Sequence, residues 1–322
     1  MVTLVSEKQA AALVGIEDAI AATEAAFVAL DRGQSLLFPA VRGHGSDPGT
    51  RFGVKAGFDG PRATPGLKVG TYWSGNRQLG IGNHGSTTLL LDDRTGRVDA
   101  IVAATHLTAL RTAAADAVAV KYLARPEASV LALVGTGHQA YYDALAIHVV
   151  RPLRAVLVSG RNQEAAVQLA TRLREAGLPA EVATLDDALA RADLVSTMTA
   201  SRQALFDDGQ LRAGTHVSAM GADGPGKQEL PVALVAGASL WAEDPAQAQV
   251  MGEFQHVAAA GLLPPAGVQS LGALIDGRVA GRSGDEITIF DSSGVALQDL
   301  AICALALDRA RAPGIAVEVD LD

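Results

Sequence analysis

Val130-Leu131-Ala132-Leu133-Val134-Gly135-Thr136-Gly137-His138-Gln139-Ala140 is the stretch that decides the fold. An unbroken apolar run suits a parallel strand buried on both faces. The G-x-G-x-x-A that follows suits a tight turn into a helix. Its first glycine permits the turn, and its second lets backbone approach a pyrophosphate. The small residue at 140 lets the helix pack close, and the helix N-terminus offers N–H donors and partial positive charge. Alone the pattern is weak; between a strand and a helix, at the head of a βαβ series, it predicts nucleotide binding. Further apolar runs follow at 155–158, 194–197, 216–220, 239–242 and 287–290, with helical patterns between several of them, notably 164–176. That alternation predicts a Rossmann-type, doubly wound parallel α/β domain. Gly135, Thr136, Gly137, His138 and Gln139 are its candidate phosphate-loop residues.

Cofactor choice is read after the second strand, where a carboxylate would bind the ribose 2′-hydroxyl of NAD. The sequence has Val158-Ser159-Gly160-Arg161-Asn162, with no acid. A guanidinium there can grip a 2′-phosphate, so NADP(H) is favoured; NAD(H) is accommodated if Arg161 only stacks on the adenine.

Upstream the texture differs. Residues 1–30 suggest helix, opened by a Ser6/Gln9 capping box and ended by Gly33. Strand-like runs follow at 52–58, 66–73 and 86–91, and a turn at 93–96 leads into another at 98–102. An alanine-rich helix is predicted over 105–123. This predicts a second, α+β domain over residues 1–120, with a C-terminal helix from 300–322 packing back on it and the Rossmann domain over 121–299. Residues 254–275 lack charge, but Pro264-Pro265 and several glycines argue against a membrane span. The opening residues carry no basic lead or long apolar run, so no signal peptide and a cytoplasmic location are expected.

The 322-residue chain suits about two domains. With 49% hydrophobic residues it can bury a core, and its formal charge of -9 disfavours nucleic-acid and anionic-membrane partners. Its single cysteine, Cys303, excludes a disulfide framework and is expected to be a small buried hydrophobe. The histidines are scattered without ligand spacing, so no metal is expected.

Four cations have small or apolar neighbours: Arg42, Lys55, Lys68 and Arg111. Singly each suits a solvated surface; together they suggest a site for an anionic substrate. Asp223, in Gly221-Ala222-Asp223-Gly224-Pro225-Gly226, has turn chemistry, yet follows a strand end where ligands bind in such sheets. His84 is a candidate contact beside the supposed pocket.

Taken together, Gly66-Leu67-Lys68, Thr108-Ala109-Leu110-Arg111-Thr112-Ala113-Ala114-Ala115, the loop at 135–140, Gly221-Ala222-Asp223-Gly224-Pro225-Gly226-Lys227-Gln228-Glu229-Leu230 and Thr288-Ile289-Phe290-Asp291-Ser292-Ser293-Gly294 resemble, in order, the ornithine cyclodeaminase/mu-crystallin family. The resemblance implies a homodimer pairing through the non-Rossmann domain. It implies that Lys68 is catalytic and contacts the substrate carboxylate, that Arg42 and Arg111 bind carboxylate, and that Arg111 and Thr112 lie near the cofactor phosphates. Asp223 would handle the substrate nitrogen, and Thr199, Met220 and Ser292 would meet the nicotinamide half. Arg161-Asn162 resembles NADP-type members, while Pro231 departs from an acid common there. The runs at 38–42, 52–59, 72–76 and 83–86 resemble the members that reduce iminosuccinate. A second substrate carboxylate needs a second cation, which Lys55 could supply. The implied activity is reduction of a small imino acid; redox-neutral cyclodeamination, alanine dehydrogenation and ligand carriage are the alternatives.

Overall fold

The computed structural model describes residues 1–320, without the side chain of Arg77. In chain order the elements begin β1 (Val2–Val5), α1 (Glu7–Leu13), α2 (Ile16–Asp31), β2 (Leu36–Gly43), β3 (Arg51–Asp59), β4 (Thr64–Tyr72), β5 (His84–Leu91), β6 (Val98–Ala103) and α3 (Thr105–Leu123). There follow β7 (Val130–Val134), α4 (His138–Val150), β8 (Ala155–Ser159), α5 (Gln163–Glu175), β9 (Ala180–Val182), α6 (Leu185–Arg191), β10 (Leu194–Thr197) and β11 (His216–Ala219). The last are α7 (Val232–Ala236), β12 (Ser239–Ala242), α8 (Pro245–Ala248), α9 (Gln255–Ala259), β13 (Val268–Ser270), α10 (Leu271–Ile275), β14 (Thr288–Asp291), α11 (Ala296–Arg311) and β15 (Val317–Val319). Two compact units result: Met1–Arg111 with Val295–Asp322, and Thr112–Gly294.

In the first unit the described strands form one mixed sheet in the order β15-β1-β6-β5-β4-β3-β2. Helix α11 lies against one face of it. Glycines make this approach possible: a Cβ on Gly57 would come within 3.3 Å of Ala296 and Leu297, and one on Gly66 within 2.7 Å of Leu300. The opposite face carries Leu36, Phe38 and Val41, each at least half exposed. Strand alternation puts Phe52, Val54, Phe58, Leu67 and Val69 beside them.

The N-terminus corrects the helical expectation. Residues 2–5 are a strand, parallel to β6 and antiparallel to β15, and the Ser6/Gln9 capping box opens α1 only after it. A four-residue strand whose partners lie far along the chain leaves no local periodic signal. Strand β2 carries Pro39 at the sheet edge, beside a register shift between Phe38 and Val41, where a missing N–H is tolerated.

In the second unit all eight strands described are parallel, in the order β13-β12-β14-β11-β10-β7-β8-β9. The order reverses at β7, which gives the switch point of a doubly wound sheet. The boundary between units falls inside α3, ahead of the predicted position after 120, because Val120 and Ala124 pack in the core around Leu131 and Leu133. At the other end the boundary falls at 294, because α11 belongs whole to the first unit. Cys303 is fully buried there, and burial pushes its thiol up to about 12. Among the described residues no helix is long and apolar enough to cross a membrane.

Candidate active site

In the first unit, register assembles the cations. Lys55 lies opposite Lys68, Arg42 opposite Gly53, and Gly53 opposite Gly70. Alternation then turns Arg42, Lys55 and Lys68 to the face that bears α11, with Tyr72 and His84 further along it. A Cβ on Gly70 would meet nothing nearer than Lys68 Cε at 4.0 Å, and one on Gly53 nothing nearer than the Val41 carbonyl at 3.7 Å. The glycines therefore leave a bare floor among the charges. His84 is exposed, its ring 4.8 Å from that of Tyr72, and Arg42 is exposed as well.

Lys68 and Arg111 are buried on a shared acid. Lys68 Nζ is 2.7 Å from Asp299 Oδ2, and Arg111 Nε donates to Asp299 Oδ1 at 3.0 Å and Nη1 to Gln298 Oε1 at 3.3 Å. Burial, with Arg111 and Lys55 nearby, pulls the Lys68 ammonium down to about 7, although Asp299 opposes that. Burial would raise the Asp299 carboxyl, but the charges of Arg111, Lys68 and Lys55 hold it below its ordinary value. Two buried cations share one carboxylate, and the charge of Lys55 acts on both Lys68 and Asp299, which makes this end of the sheet electropositive. Asp299 is a site residue the sequence reading did not single out. The available signal was a polar pair, Gln298-Asp299, inside the apolar run from Val295 to Ile302.

In the second unit the phosphate loop follows β7. Gly135 has φ +123°, and a Cβ there would come within 3.0 Å of the Met198 carbonyl, so the turn requires glycine. Gly137 is the N-cap of α4 with no side-chain cap, and a Cβ on it would meet nothing within 4 Å. That sets a helix N-terminus beside open space where a pyrophosphate would approach. Thr136 closes the loop under Gly160, where a Cβ would come within 2.6 Å of it. His138 begins α4 exposed, its ring 5.0 Å from Tyr142, and Gln139 is tied to the buried Asp143 at 2.7 Å. These features fit a dinucleotide.

Arg161 is exposed beyond β8, while the side-chain oxygen of Asn162 accepts from Ala165 N–H at 3.1 Å and caps α5. Contact of Asn162 with a nucleotide would therefore fall to its amide nitrogen. Thr199, Met220 and Ser292 follow β10, β11 and β14, which are neighbours in the sheet, so the structure gathers them at its carboxyl edge. Thr199 N–H donates to Glu229 at 2.6 Å, and the buried Ser292 hydroxyl donates to Glu243 at 3.3 Å. Thr112 is half-buried in α3. Asp223 is exposed on the loop after β11 and ion-paired to Lys227, whose Nζ also donates to the Gly221 carbonyl at 3.1 Å. Among the described residues no group of three or more His, Cys, Asp or Glu is placed to hold a metal ion.

The chain is 41% identical to iminosuccinate reductase of Paracoccus denitrificans (strain Pd 1222) over 318 residues, 99% of each chain. The crystal structure of that reductase, in complex with NAD+, superposes with a TM-score of 0.94 over 99% of each chain. An archaeal alanine dehydrogenase, solved as a dimer with bound NAD, superposes with a TM-score of 0.93 at 30% identity, covering 100% of this chain and 99% of the other. The profile of the ornithine cyclodeaminase/mu-crystallin family matches residues 1–314, a span that takes in both the Asp299 cluster and the phosphate loop. The chain belongs to the ornithine cyclodeaminase/mu-crystallin family.

Proposed function

We propose that the chain is an NAD(P)H-dependent reductase that converts a small imino acid to the amino acid, with a dicarboxylic, iminosuccinate-like substrate preferred. The observation that carries this reading is the pairing of Lys68 and Arg111 on a single buried acid, with Lys55 opposite Lys68 in the β3–β4 ladder. Bound reduced nicotinamide supplies the hydride for the imine carbon. Lys68 and Arg111 take one substrate carboxylate, Lys55 with Arg42 takes a second, and the positive charge beside the imine makes its carbon more electrophilic. Asp223 is assigned to the substrate nitrogen, its carboxylate accepting a hydrogen bond from the protonated imine and so orienting it. In the second unit Gly135, Gly137 and the first N–H groups of α4 receive the pyrophosphate, and Thr199, Met220 and Ser292 receive the nicotinamide half. Arg161 supports a preference for NADPH, since no acid stands at that strand end to select the 2′-hydroxyl.

A redox-neutral cyclodeaminase reading is disfavoured because Lys55 would repel the distal ammonium of a diamino acid. Alanine carries no second carboxylate, so an alanine dehydrogenase would make no use of Lys55 on its substrate. A homodimer goes with the reductase reading, formed through the exposed apolar face of Leu36, Phe38 and Val41. A cytoplasmic location goes with it too, where a lone buried thiol stays reduced.

Oxidation of NADPH and of NADH is to be followed with oxaloacetate plus ammonia, pyruvate plus ammonia, and a five-membered cyclic ketimine carboxylate. Turnover fastest on the first mixture is expected. No turnover on any would reject the reductase, and turnover on pyruvate alone would favour the dehydrogenase.

A further inference from the structure

We propose that Asp299 is the positioning residue of this reaction: one carboxylate fixes the Lys68 ammonium and the Arg111 guanidinium in a single arrangement and supplies the counter-charge that lets Lys68 meet its substrate as a cation. The proposal rests on the reductase reading for the identity of the substrate. Its geometry stands independently of that reading.

Asp299 uses both oxygens, Oδ2 to Lys68 at 2.7 Å and Oδ1 to Arg111 at 3.0 Å, and its side chain is 2% exposed. Its backbone is anchored by packing. Ala296 and Leu297 lie over Gly57, and Leu300 lies over Gly66, so the turn of α11 that carries Asp299 is seated directly on β3 and β4. The neighbouring Gln298 adds a second tie, accepting from Arg111 Nη1 and from Val295 N–H at 3.0 Å. The carboxylate is therefore held on a rigid element and cannot follow its partners if they move.

The charged and titratable groups around Lys68 are Arg111 from α3, Lys55 from β3, and Asp299 and Cys303 from α11. The thiol stays protonated, and two of the others are cations. Asp299 is thus the group that favours a charged Lys68. Its removal leaves a buried amine beside two positive charges, and that amine loses its proton at lower pH. A neutral amine cannot pair with a substrate carboxylate, so the pH at which kcat/KM declines must move down with it.

The test compares wild type, Asp299→Asn and Asp299→Glu as full-length protein. kcat/KM is measured against pH with the best imino substrate, succinate binding is measured calorimetrically against pH, and NADH binding is followed by fluorescence. In Asp299→Asn the basic limb is expected to shift down by one pH unit or more, with about a tenfold loss at a pH above the limb, while NADH binding is retained. Asp299→Glu, which keeps the charge, is expected to recover most of the shift. An unmoved limb in Asp299→Asn, or loss of NADH binding in both variants, overturns the proposal and makes the residue merely structural. If no imino acid is reduced at all, the reductase reading fails, and the pH dependence of succinate binding still decides the role of Asp299.

Discussion

Lys55 faces Lys68 across the β3–β4 ladder, and two ammonium groups directly opposed in a sheet repel each other. Keeping both makes chemical sense if an anion normally lies between or beside them. Replacing Lys55 with glutamine should relieve that repulsion and remove the hold on a distal carboxylate. A charge-assisted hydrogen bond is worth roughly 1.5–3 kcal/mol, so KM for a dicarboxylic imine should rise about ten- to a hundredfold. KM for a monocarboxylic imine should stay within about twofold, and steady-state kinetics on the two substrates checks the contrast. Equal losses on both would mean that Lys55 acts on the shared carboxylate. Arg161 is tested in the same manner. As an exposed side chain it can change to serine with little effect on stability, yet the ratio of kcat/KM for NADPH over NADH should fall at least tenfold. An unchanged ratio would assign 2′-phosphate recognition elsewhere.

The turn between β7 and α4 joins two glycines with different duties, and the difference can be measured. At Gly135 a side chain meets both a positive φ and the Met198 carbonyl, so Gly135→Ala should cost about 1–3 kcal/mol of stability and weaken nucleotide binding. At Gly137 φ is -77° and the space beside it is open, so Gly137→Ala should cost no more than about 1 kcal/mol. It should still weaken NADH binding at least tenfold, because the new methyl group occupies the approach of the pyrophosphate. Chemical denaturation and fluorescence titration separate the two effects. This turn was legible in the sequence because strand, glycines and helix are contiguous there, and the apolar runs of the parallel sheet were legible for the same reason. Strand β1 was not, since its ladder partners β6 and β15 lie far along the chain. The site divides likewise: an isolated cation among glycines is conspicuous, whereas the acid that pairs with Lys68 and Arg111 comes from the other end of the chain. The oxygen of Asn162 caps the helix that begins beside it, a local role that its place just ahead of that helix also makes legible in the sequence.

Across the whole molecule, folding raises the pKa of several buried acids. Burial, with the nearby charge of Glu229, pushes Glu253 up to about 8 against the hydrogen bonds it accepts from Glu229 and Leu230 N–H. Burial holds Asp291 well above the usual carboxylate range, raises Glu229, and lifts Asp116 to about 6. A group whose folded pKa is raised stabilises fully below its unfolded value, and that contribution is lost as pH rises through the folded one. For Glu253 the window runs from 4.5 to about 8. His216 acts oppositely: burial and Arg282 lower it to about 3, so stability falls as pH drops below 6.5. Lys68, lowered to about 7, adds stability as pH rises from there, but it is one group against both Glu253 and Asp291. Between pH 6 and pH 8 the melting temperature should therefore decline by a few degrees, on the order of 2 kcal/mol. Glu253→Gln keeps an oxygen for the two backbone donors and cannot ionise, so it should flatten that decline while leaving stability at pH 6 close to wild type. Calorimetry of both proteins at pH 6, 7 and 8 decides the matter, and an equal slope in the two would remove Glu253 as the source of the pH dependence.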